Sequence, residues 1–175
     1  YSVPPGATPA DVEAVRAAIA ASQRPCILAG GGIISSGASA ELRRFAESYN
    51  LPVTTTLLGL GGFPESHPLS LKWLGMHGTY YANFAANECD LLLNIGARFD
   101  DRVTGNVATF AARAKIIHID IDPSEINKNK HADLGIVCDA RDILRKLNRK
   151  PLRQDYAAWH RQIAEWKRNF PLAYK

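Results

Sequence analysis

The sequence predicts an α/β fold: a doubly wound parallel sheet flanked by helices. Short apolar runs of strand length alternate along the chain with stretches of helical period, a pattern typical of βαβ units. A glycine cluster, Gly30 to Gly32, follows the first apolar run, as expected of a turn at a strand end. The chain has 175 residues, of which 46% are hydrophobic, so it can fill the core of one domain and is too short for two ordinary ones.

Local signals define the individual elements. Thr8 followed by Pro9 is a helix start, because Pro is favoured at the first helical position. Asn50 is a suitable residue for ending the second helix. The predicted helices cover roughly residues 9–22, 39–49, 79–87, 107–112, 140–147 and 156–169, and the predicted strands cover 25–29, 51–56, 90–95, 115–120 and 134–138.

Two segments depart from this regular alternation. Residues 57–78 form a long connection with five Gly and two Pro, and long irregular segments inside compact domains are usually functional. The last predicted helix carries one apolar stripe, because its large side chains recur at alternating steps of three and four. The stripe consists of Tyr156, Trp159, Ile163, Trp166 and Phe170. Such a helix needs a partner surface, either on this domain or on a following one.

Charge and hydropathy exclude several classes of protein. Residues 141–175 contain ten Lys/Arg and three Asp/Glu, a net +7, which leaves −3 on the remainder of a chain of net +4. These charges alternate with apolar residues at helical spacing, so they indicate solvated helix faces, and we expect no nucleic-acid partner. No apolar run approaches the roughly 20 residues of a membrane span, so we expect no membrane partner either.

Cysteine usage and the first residues give two further expectations. Cys26, Cys89 and Cys138 include no C-x-x-C pair, and we interpret them as reduced, buried residues in a reducing compartment, with no metal site. The opening residues, Tyr1 to Pro5, contain no initiator Met and no signal-peptide pattern. We expect them to be the cut end of a longer chain.

The residues that follow the strands form the candidate site, because ligands bind beyond the carboxyl ends of strands in an open parallel sheet. Small residues there let backbone amides approach a ligand, arginines offer partners for phosphate, and carboxylates such as Asp120 and Asp139 can accept ribose hydroxyls. Together they resemble a dinucleotide cradle. The set comprises Gly30 to Gly32, Thr56, Leu57, Gly75 to Gly78, Gly96 to Arg102, Asp120 to Asp122, Asp139 and Ala140.

Each of these features also has a purely structural interpretation. Gly30 to Gly32 is not the G-x-G-x-x-G fingerprint and could be a plain turn. His77 could be a general base, but no acid or nucleophile accompanies it in sequence. Residues 98–102 could be a local ion-pair cluster. No acidic residue ends the second strand, where a NAD-binding Rossmann domain keeps its ribose ligand, and this argues against an ordinary NAD dehydrogenase.

Three stretches together resemble the catalytic subunits of acetohydroxyacid synthases (acetolactate synthases). They are Leu74-Gly75-Met76-His77-Gly78-Thr79, then Gly96-Ala97-Arg98-Phe99-Asp100-Asp101-Arg102-Val103-Thr104-Gly105, and Ile117-His118-Ile119-Asp120-Ile121-Asp122 followed by Glu125 to Lys130. The middle stretch is specific, since related thiamine enzymes share the fold and the glycine-rich first turn but not this run. Residues 159–174 resemble the entry to the last domain of such enzymes.

The resemblance implies the middle domain of a thiamine-diphosphate enzyme, with a six-stranded parallel sheet that holds FAD in an extended pose. Residue by residue, the family's FAD contacts fall on Gly31, Thr56, Leu57, Leu74, Gly75, Met76, His77, Gly96, Ala97, Arg98, Phe99, Asp100, Asp120, Ile121, Asp139 and Ala140. Met76, Asp101 and Arg102 match positions that border the family's substrate channel, where herbicidal inhibitors bind. No catalytic residue and no metal ligand is expected in this chain.

The family reaction is carboligation on thiamine diphosphate and Mg²⁺: pyruvate loses CO2, and the remaining two-carbon unit adds to a second pyruvate or to 2-ketobutyrate, in branched-chain amino-acid biosynthesis. FAD does not turn over in it and is mainly structural. The ylid-activating Glu and the Mg-diphosphate motif belong to other domains of the family, and an upstream Arg that contacts FAD has no clear match here. We therefore expect the chain alone to be inactive.

The resemblance also implies a domain organisation and partners. Residues 1–150 would form the central FAD-binding domain, and residues 151–175 a linker and helix leading to a C-terminal thiamine-diphosphate-binding domain. The parent enzyme is expected to be a homo-oligomer with a regulatory subunit, in the cytoplasm or, in a eukaryote, in an organelle stroma. Two other interpretations remain: a cofactor-free scaffold domain of another thiamine enzyme, and a NAD-binding Rossmann-like domain.

Overall fold

A computed structural model describes residues 5–172 of the chain and contains seven α-helices, six strands and two 3-10 turns within that range. In chain order these are α1 (Pro9–Ala21), β1 (Pro25–Ala29), α2 (Gly31–Ser35), α3 (Ser39–Tyr49), β2 (Val53–Thr55), a 3-10 turn (Leu57–Gly59), β3 (Ser70–Trp73), α4 (Tyr80–Glu88), β4 (Leu91–Ile95), α5 (Asp101–Thr104), β5 (Lys115–Asp120), a 3-10 turn (Pro123–Glu125), β6 (Leu134–Val137), α6 (Ala140–Leu147) and α7 (Ala157–Asn169).

All six strands are parallel and lie in the order β3-β2-β1-β4-β5-β6. The chain runs outward from β1 to β3, returns to the centre and continues from β4 to β6. This order confirms the predicted doubly wound class, in which the connections after β1 and after β4 leave in opposite directions and open a crevice between them. Every residue of β1 and of β4 is buried, because helices cover both faces of the sheet.

Asp90 links the N-terminal ends of the central strands β1 and β4. Its carboxylate accepts the Ser22 hydroxyl at 2.5 Å and the backbone N–H groups of Gln23 and Arg24 at 2.8 and 2.9 Å. Burial alone would raise the pKa of Asp90, but the donated hydrogen bonds outweigh it and hold the pKa below its ordinary value. The end of α1 and the start of β1 are therefore anchored to the start of β4 by one ionised side chain.

The last helix, α7, packs on this domain. Its apolar stripe had left two possible partner surfaces, this domain or a following one. The Trp159 indole N–H donates to the carbonyl of Pro25 at 3.0 Å, and the Trp166 ring packs on Phe84 of α4 with centroids 5.6 Å apart. Lys167 donates from Nζ to the carbonyls of Ser70 at 2.7 Å and Pro68 at 3.2 Å, at the outer strand β3. Helix α7 therefore joins the centre of the sheet to its edge.

The structure corrects two predicted elements. Residues 57–78 are not irregular throughout, because they contain the edge strand β3. Residues 107–112 form turns instead of a helix: Ala111 adopts a left-handed conformation (φ 47°), and its N–H donates to the Asn87 side chain rather than to a helical carbonyl. The short helices α2 and α5 were not predicted. The expectations for Tyr1 to Pro4 and for Tyr174 lie outside the described residues.

The described residues contain no helix long and apolar enough to cross a membrane, and no cluster of His, Cys, Asp and Glu side chains that could hold a metal ion. All three cysteines are free and buried, as predicted. Burial raises the pKa of the Cys26 thiol to about 12, and it does the same for Cys138.

Candidate cofactor site

A cleft of about 520 Å³ opens at the carboxyl ends of the central strands. It lies where the connections after β1 and β4 diverge, the position at which open parallel sheets bind ligands. Its lining consists of Gly31, Gly32, Thr56, Leu57, Leu58, Leu74, Gly96, Ala97, Arg98, Asp100, Arg102, Val103, Asp120, Asp122 and Glu125. A second cavity of about 580 Å³ lies between α4 and α7, away from the carboxyl ends of the strands, and we therefore do not take it as the ligand site.

The floor of the cleft is made by two interlocked turns. The N–H of Gly30 donates to the carbonyl of Ile95 at 3.0 Å, and the N–H of Gly32 donates to the carbonyl of Gly96 at 3.0 Å. A Cβ added to Gly30 would lie 2.1 Å from the Gly96 oxygen, so only glycine permits this approach. Gly30 and Gly32 are thus required by backbone packing, and the cluster also leaves the cleft floor free of side chains.

One wall of the cleft depends on Asn83, a residue that sequence reasoning missed. Its amide accepts the N–H of Gly75 at 3.0 Å and donates to the carbonyls of Gly75 and Thr79, both at 3.1 Å. The N–H of Met76 then donates to the carbonyl of Arg102 at 3.1 Å. The Gly75–Gly78 turn and the start of α5 are therefore fixed to each other through backbone contacts.

The charged groups of the cleft differ in how far they are already paired. Arg98 is exposed and forms no ion pair within residues 5–172. The Arg102 guanidinium lies 3.7 Å from the Asp101 carboxylate, with both side chains largely in solvent. Asp120, at the end of β5, is only 9% exposed, and its Oδ1 accepts the N–H of Asp122 at 2.9 Å. Arg98 and the second oxygen of Asp120 are the groups most available to a ligand.

Three other predicted site residues use their side chains to cap helical segments. The Thr56 hydroxyl accepts the N–H of Gly59 at 3.1 Å. Asp100 caps α5 and Asp139 caps α6, each through hydrogen bonds from two backbone N–H groups. These residues therefore shape the loops of the cleft. In Asp100 and Asp139 both capping bonds go to Oδ1, so a direct contact with a ligand would use Oδ2.

Large apolar side chains stand exposed at the rim. Leu57 and Leu58 are 70% and 72% exposed. Isolated exposed apolar residues are common, but these two are adjacent and both line the cleft, which indicates a surface that is covered when the site is filled.

A smaller cavity of about 120 Å³ continues the cleft toward β6. It shares Gly32, Gly96 and Asp120 with the larger cleft and is closed by Ser35, Ser36, Ile119, Ile121, Cys138, Asp139 and Ala140. The two cavities form one track along the carboxyl edge of the sheet, from the end of β2 to the end of β6. Such a track suits a long, extended ligand better than a compact one.

The predicted site residues divide into two groups by position. Gly31, Thr56, Leu57, Leu74, Gly96, Ala97, Arg98, Asp100, Arg102 and Asp120 line the cleft, and Ile121, Asp139 and Ala140 line its smaller continuation. Gly75, Met76, His77, Phe99 and Asp101 line neither; Phe99 is buried, whereas Met76, His77 and Asp101 are exposed. Leu58, Val103 and Glu125 line the cleft without having been predicted as site residues.

Comparison with known proteins shows the family of the chain. The family model described as thiamine pyrophosphate enzyme, central domain, matches residues 12–147. The chain belongs to this family. This central domain is 51% identical over 170 residues to acetolactate synthase 1, chloroplastic, of Oryza sativa subsp. japonica, covering 94% of the chain and 26% of the relative. It is 53% identical over 163 residues to a probable acetolactate synthase large subunit of Methanocaldococcus jannaschii, covering 91% of the chain and 28% of the relative.

The central domain thus spans about a quarter of the length of the curated relatives that it matches. The match covers nearly all of the chain, including the specific run at residues 96–105. The family resemblance inferred from the sequence is confirmed, as is the six-stranded parallel sheet that it implied.

Proposed function

We propose that this central domain binds FAD in an extended pose along the carboxyl edge of its sheet. The observation that carries the proposal is the pair of adjoining cavities from β2 to β6, with an exposed apolar rim at one end and the Asp120 carboxylate where the two cavities meet. A cavity of about 520 Å³ is in the size range expected of a cofactor site, and the arginines in its charged lining suit a ligand that carries phosphates.

The residues present fit the chemistry of a flavin dinucleotide. The Arg98 guanidinium, which has no ion-pair partner among the described residues, is suited to the pyrophosphate, since guanidinium groups form strong, charge-assisted hydrogen bonds with phosphate. Asp120 can accept ribose hydroxyls. Leu57 and Leu58 offer an apolar surface to a flat ring system. A bound flavin would supply a rigid planar group that fills the cleft, and the protein residues would hold it without taking part in redox chemistry.

We further propose that the chain is part of an acetolactate synthase, which joins two 2-keto acids with loss of CO2. Relatives that are about half identical to this chain over the aligned residues carry that name. In this proposal residues 1–150 form the FAD-binding domain and residues 151–175 lead to a thiamine-diphosphate-binding domain. Thiamine diphosphate, Mg²⁺, a homo-oligomer and a regulatory subunit would then belong to the parent enzyme, and Met76, Asp101 and Arg102 would border its substrate channel.

A flavin titration of the purified chain tests the cofactor proposal. FAD is added while quenching of flavin fluorescence and the melting temperature are followed. We expect saturable binding and a rise in melting temperature, since a ligand that binds only the folded state stabilises it. Arg98→Ala and Asp120→Ala should each weaken binding about tenfold, the effect of losing one charge-assisted hydrogen bond. Arg113→Ala, which removes an exposed arginine paired with Glu88, is the matched control.

The alternatives predict different results. A scaffold domain would show no quenching up to near-millimolar FAD, both in this chain and in the full-length parent. A site that needs the other domains would bind FAD only in the parent. A NAD-binding domain would bind NAD in preference to FAD, and NAD competition in the same assay detects it.

A further inference from the structure

A pair of buried polar side chains lies on β4 and β5, two of the strands that end at the cleft. Asn94 on β4 and His118 on β5 are register partners in neighbouring parallel strands, and both are 0% exposed. Their side chains share one face of the sheet, the face that also carries Asp120, because residues two apart on a strand point the same way. The His118 Nε2 atom lies 3.9 Å from Oδ2 of Asp120.

The pair has hydrogen-bonding capacity that the described protein does not use. The Asn94 amide donates to the carbonyl of Ala97 at 2.7 Å, but its own oxygen has no partner within residues 5–172. Neither ring nitrogen of His118 has a partner of good hydrogen-bond geometry in that range, although the Ala97 backbone lies near enough to influence the ring, and the Phe99 ring packs edge-on against the imidazole at 5.1 Å. Buried polar atoms without partners are costly, so their presence calls for a functional explanation.

The charge state of the histidine follows from its surroundings. Burial lowers the pKa of His118, although the nearby Asp120 carboxylate and the Ala97 backbone oppose this. A neutral imidazole carries one N–H donor and one acceptor. If the proton is on Nε2, the N–H faces the Asp120 oxygen that the Asp122 N–H leaves free, as a charge–dipole contact at 3.9 Å and not as a hydrogen bond.

We propose that Asn94 and His118 are positioning residues: Asn94 holds the Ala97 carbonyl and hence the 96–100 loop, and His118 directs an Nε2–H at Asp120 and so orients its carboxylate toward the cleft. Neither residue touches the ligand. The inference rests on the proposed FAD site, because it assigns the two residues a role in forming that site.

The first test needs no ligand. The ring nitrogens of His118 are assigned by 15N NMR in the unliganded chain at neutral pH, together with an Asp120→Ala variant. We expect the Nε2–H tautomer, with a ring-nitrogen shift that changes when Asp120 is removed. An Nδ1–H tautomer, or ring shifts unaffected by Asp120→Ala, would overturn the proposal.

The second test is a double-mutant cycle on FAD affinity. His118→Phe should weaken binding about fivefold and Asp120→Ala about tenfold, and the double variant should be no weaker than Asp120→Ala within twofold, because both changes disable the same group. His118→Gln, which keeps a donor near the Nε2 position, should restore most of the affinity. Ile116→Val, on the same strand and face, is the control and should leave affinity unchanged.

Stability measurements separate positioning from a structural role. The melting temperature of unliganded His118→Phe should equal or exceed that of the wild type, because an apolar ring replaces unpartnered polar atoms. His118→Met provides a second apolar variant if Phe prevents folding. Independent, multiplicative losses of FAD affinity in the cycle would refute the role of His118. Absence of FAD binding by the wild-type chain and the parent would instead refute the proposed function, and the tautomer test would still decide the orientation of His118.

Discussion

Replacing Gly30 by Ala tests the interlocked turns that make the floor of the cleft. The backbone of Gly30 has an ordinary φ of −102°, so an alanine there carries no left-handed strain. The difficulty is space, because the new Cβ would lie 2.1 Å from the Gly96 oxygen and 2.4 Å from the Ala97 Cα. Both obstructing atoms belong to the backbone, so they cannot move away by a change of rotamer as a flexible side chain would.

The expected loss of stability follows from these distances. Ordinary van der Waals contact begins near 3.4 Å, so the β1 and β4 turns must separate by more than 1 Å. Overpacking of this kind costs typically 1–3 kcal/mol, and we expect about 3 kcal/mol because backbone must move. For a chain of this size that corresponds to a melting temperature lower by about 6–12 °C.

Gly37→Ala is the matched control, because Gly37 has φ 62° and no atom within 4 Å of an added Cβ. It should cost only the left-handed strain, about 1 kcal/mol. Urea unfolding followed by circular dichroism measures both variants. If Gly30→Ala is no more destabilising than Gly37→Ala, the turns are not as closely packed as described, and the floor of the proposed cofactor site must be reconsidered.

Three further predictions concern the framework around the site. Asp90→Asn should cost about 2 kcal/mol at pH 7, since charge-assisted hydrogen bonds are lost. The pKa of Asp90 is lowered in the folded state, so its contribution to the free energy of unfolding is present above the ordinary carboxyl pKa and is lost as pH falls through the lowered value. The difference in unfolding free energy between wild type and variant should therefore narrow below about pH 4. Urea titrations in which the two proteins show the same pH dependence would contradict this. Trp159→Ala should cost about 3–5 kcal/mol and Trp159→Phe about 1 kcal/mol, the latter by losing the hydrogen bond to Pro25; equal losses would mean that packing contributes little. The native chain should show no thiol reactive toward Ellman's reagent at pH 8 and three after unfolding, because burial keeps Cys26 and Cys138 protonated and inaccessible; a rapidly reacting native thiol would refute the buried placement.

Most of the fold could be predicted because local signals and burial point the same way. Thr8 forms a complete capping box with Asp11, and Asn50 ends α3 in the left-handed conformation that its residue type tolerates. The strand β3 was missed for a physical reason. It has only four residues, lies at the sheet edge and contains Lys72 in a left-handed conformation (φ 61°), where its pairing register with β2 shifts.

The sequence predicted where the candidate site lies, but not which hydrogen bonds its residues form. The rule that ligands bind at the carboxyl ends of strands led to Arg98 and Asp120, which do line the cleft. The sequence did not indicate that Asp100 and Asp139 use their carboxylates as helix caps, or that Asn83 holds the Gly75–Gly78 turn. Those roles depend on backbone groups that meet only after the chain has folded.

The contact between Lys167 and β3 has a consequence for keeping the protein in solution. An outer strand presents unpaired carbonyls that can accept a strand from another copy, and proteins often guard such edges with lysine. Here the Lys167 ammonium group on α7 donates hydrogen bonds to the carbonyls of Ser70 and Pro68. A shortened version that stops before α7 would present a bare strand edge together with the apolar surfaces that Trp159 and Trp166 cover. We therefore expect it to aggregate, however well the remaining sheet folds.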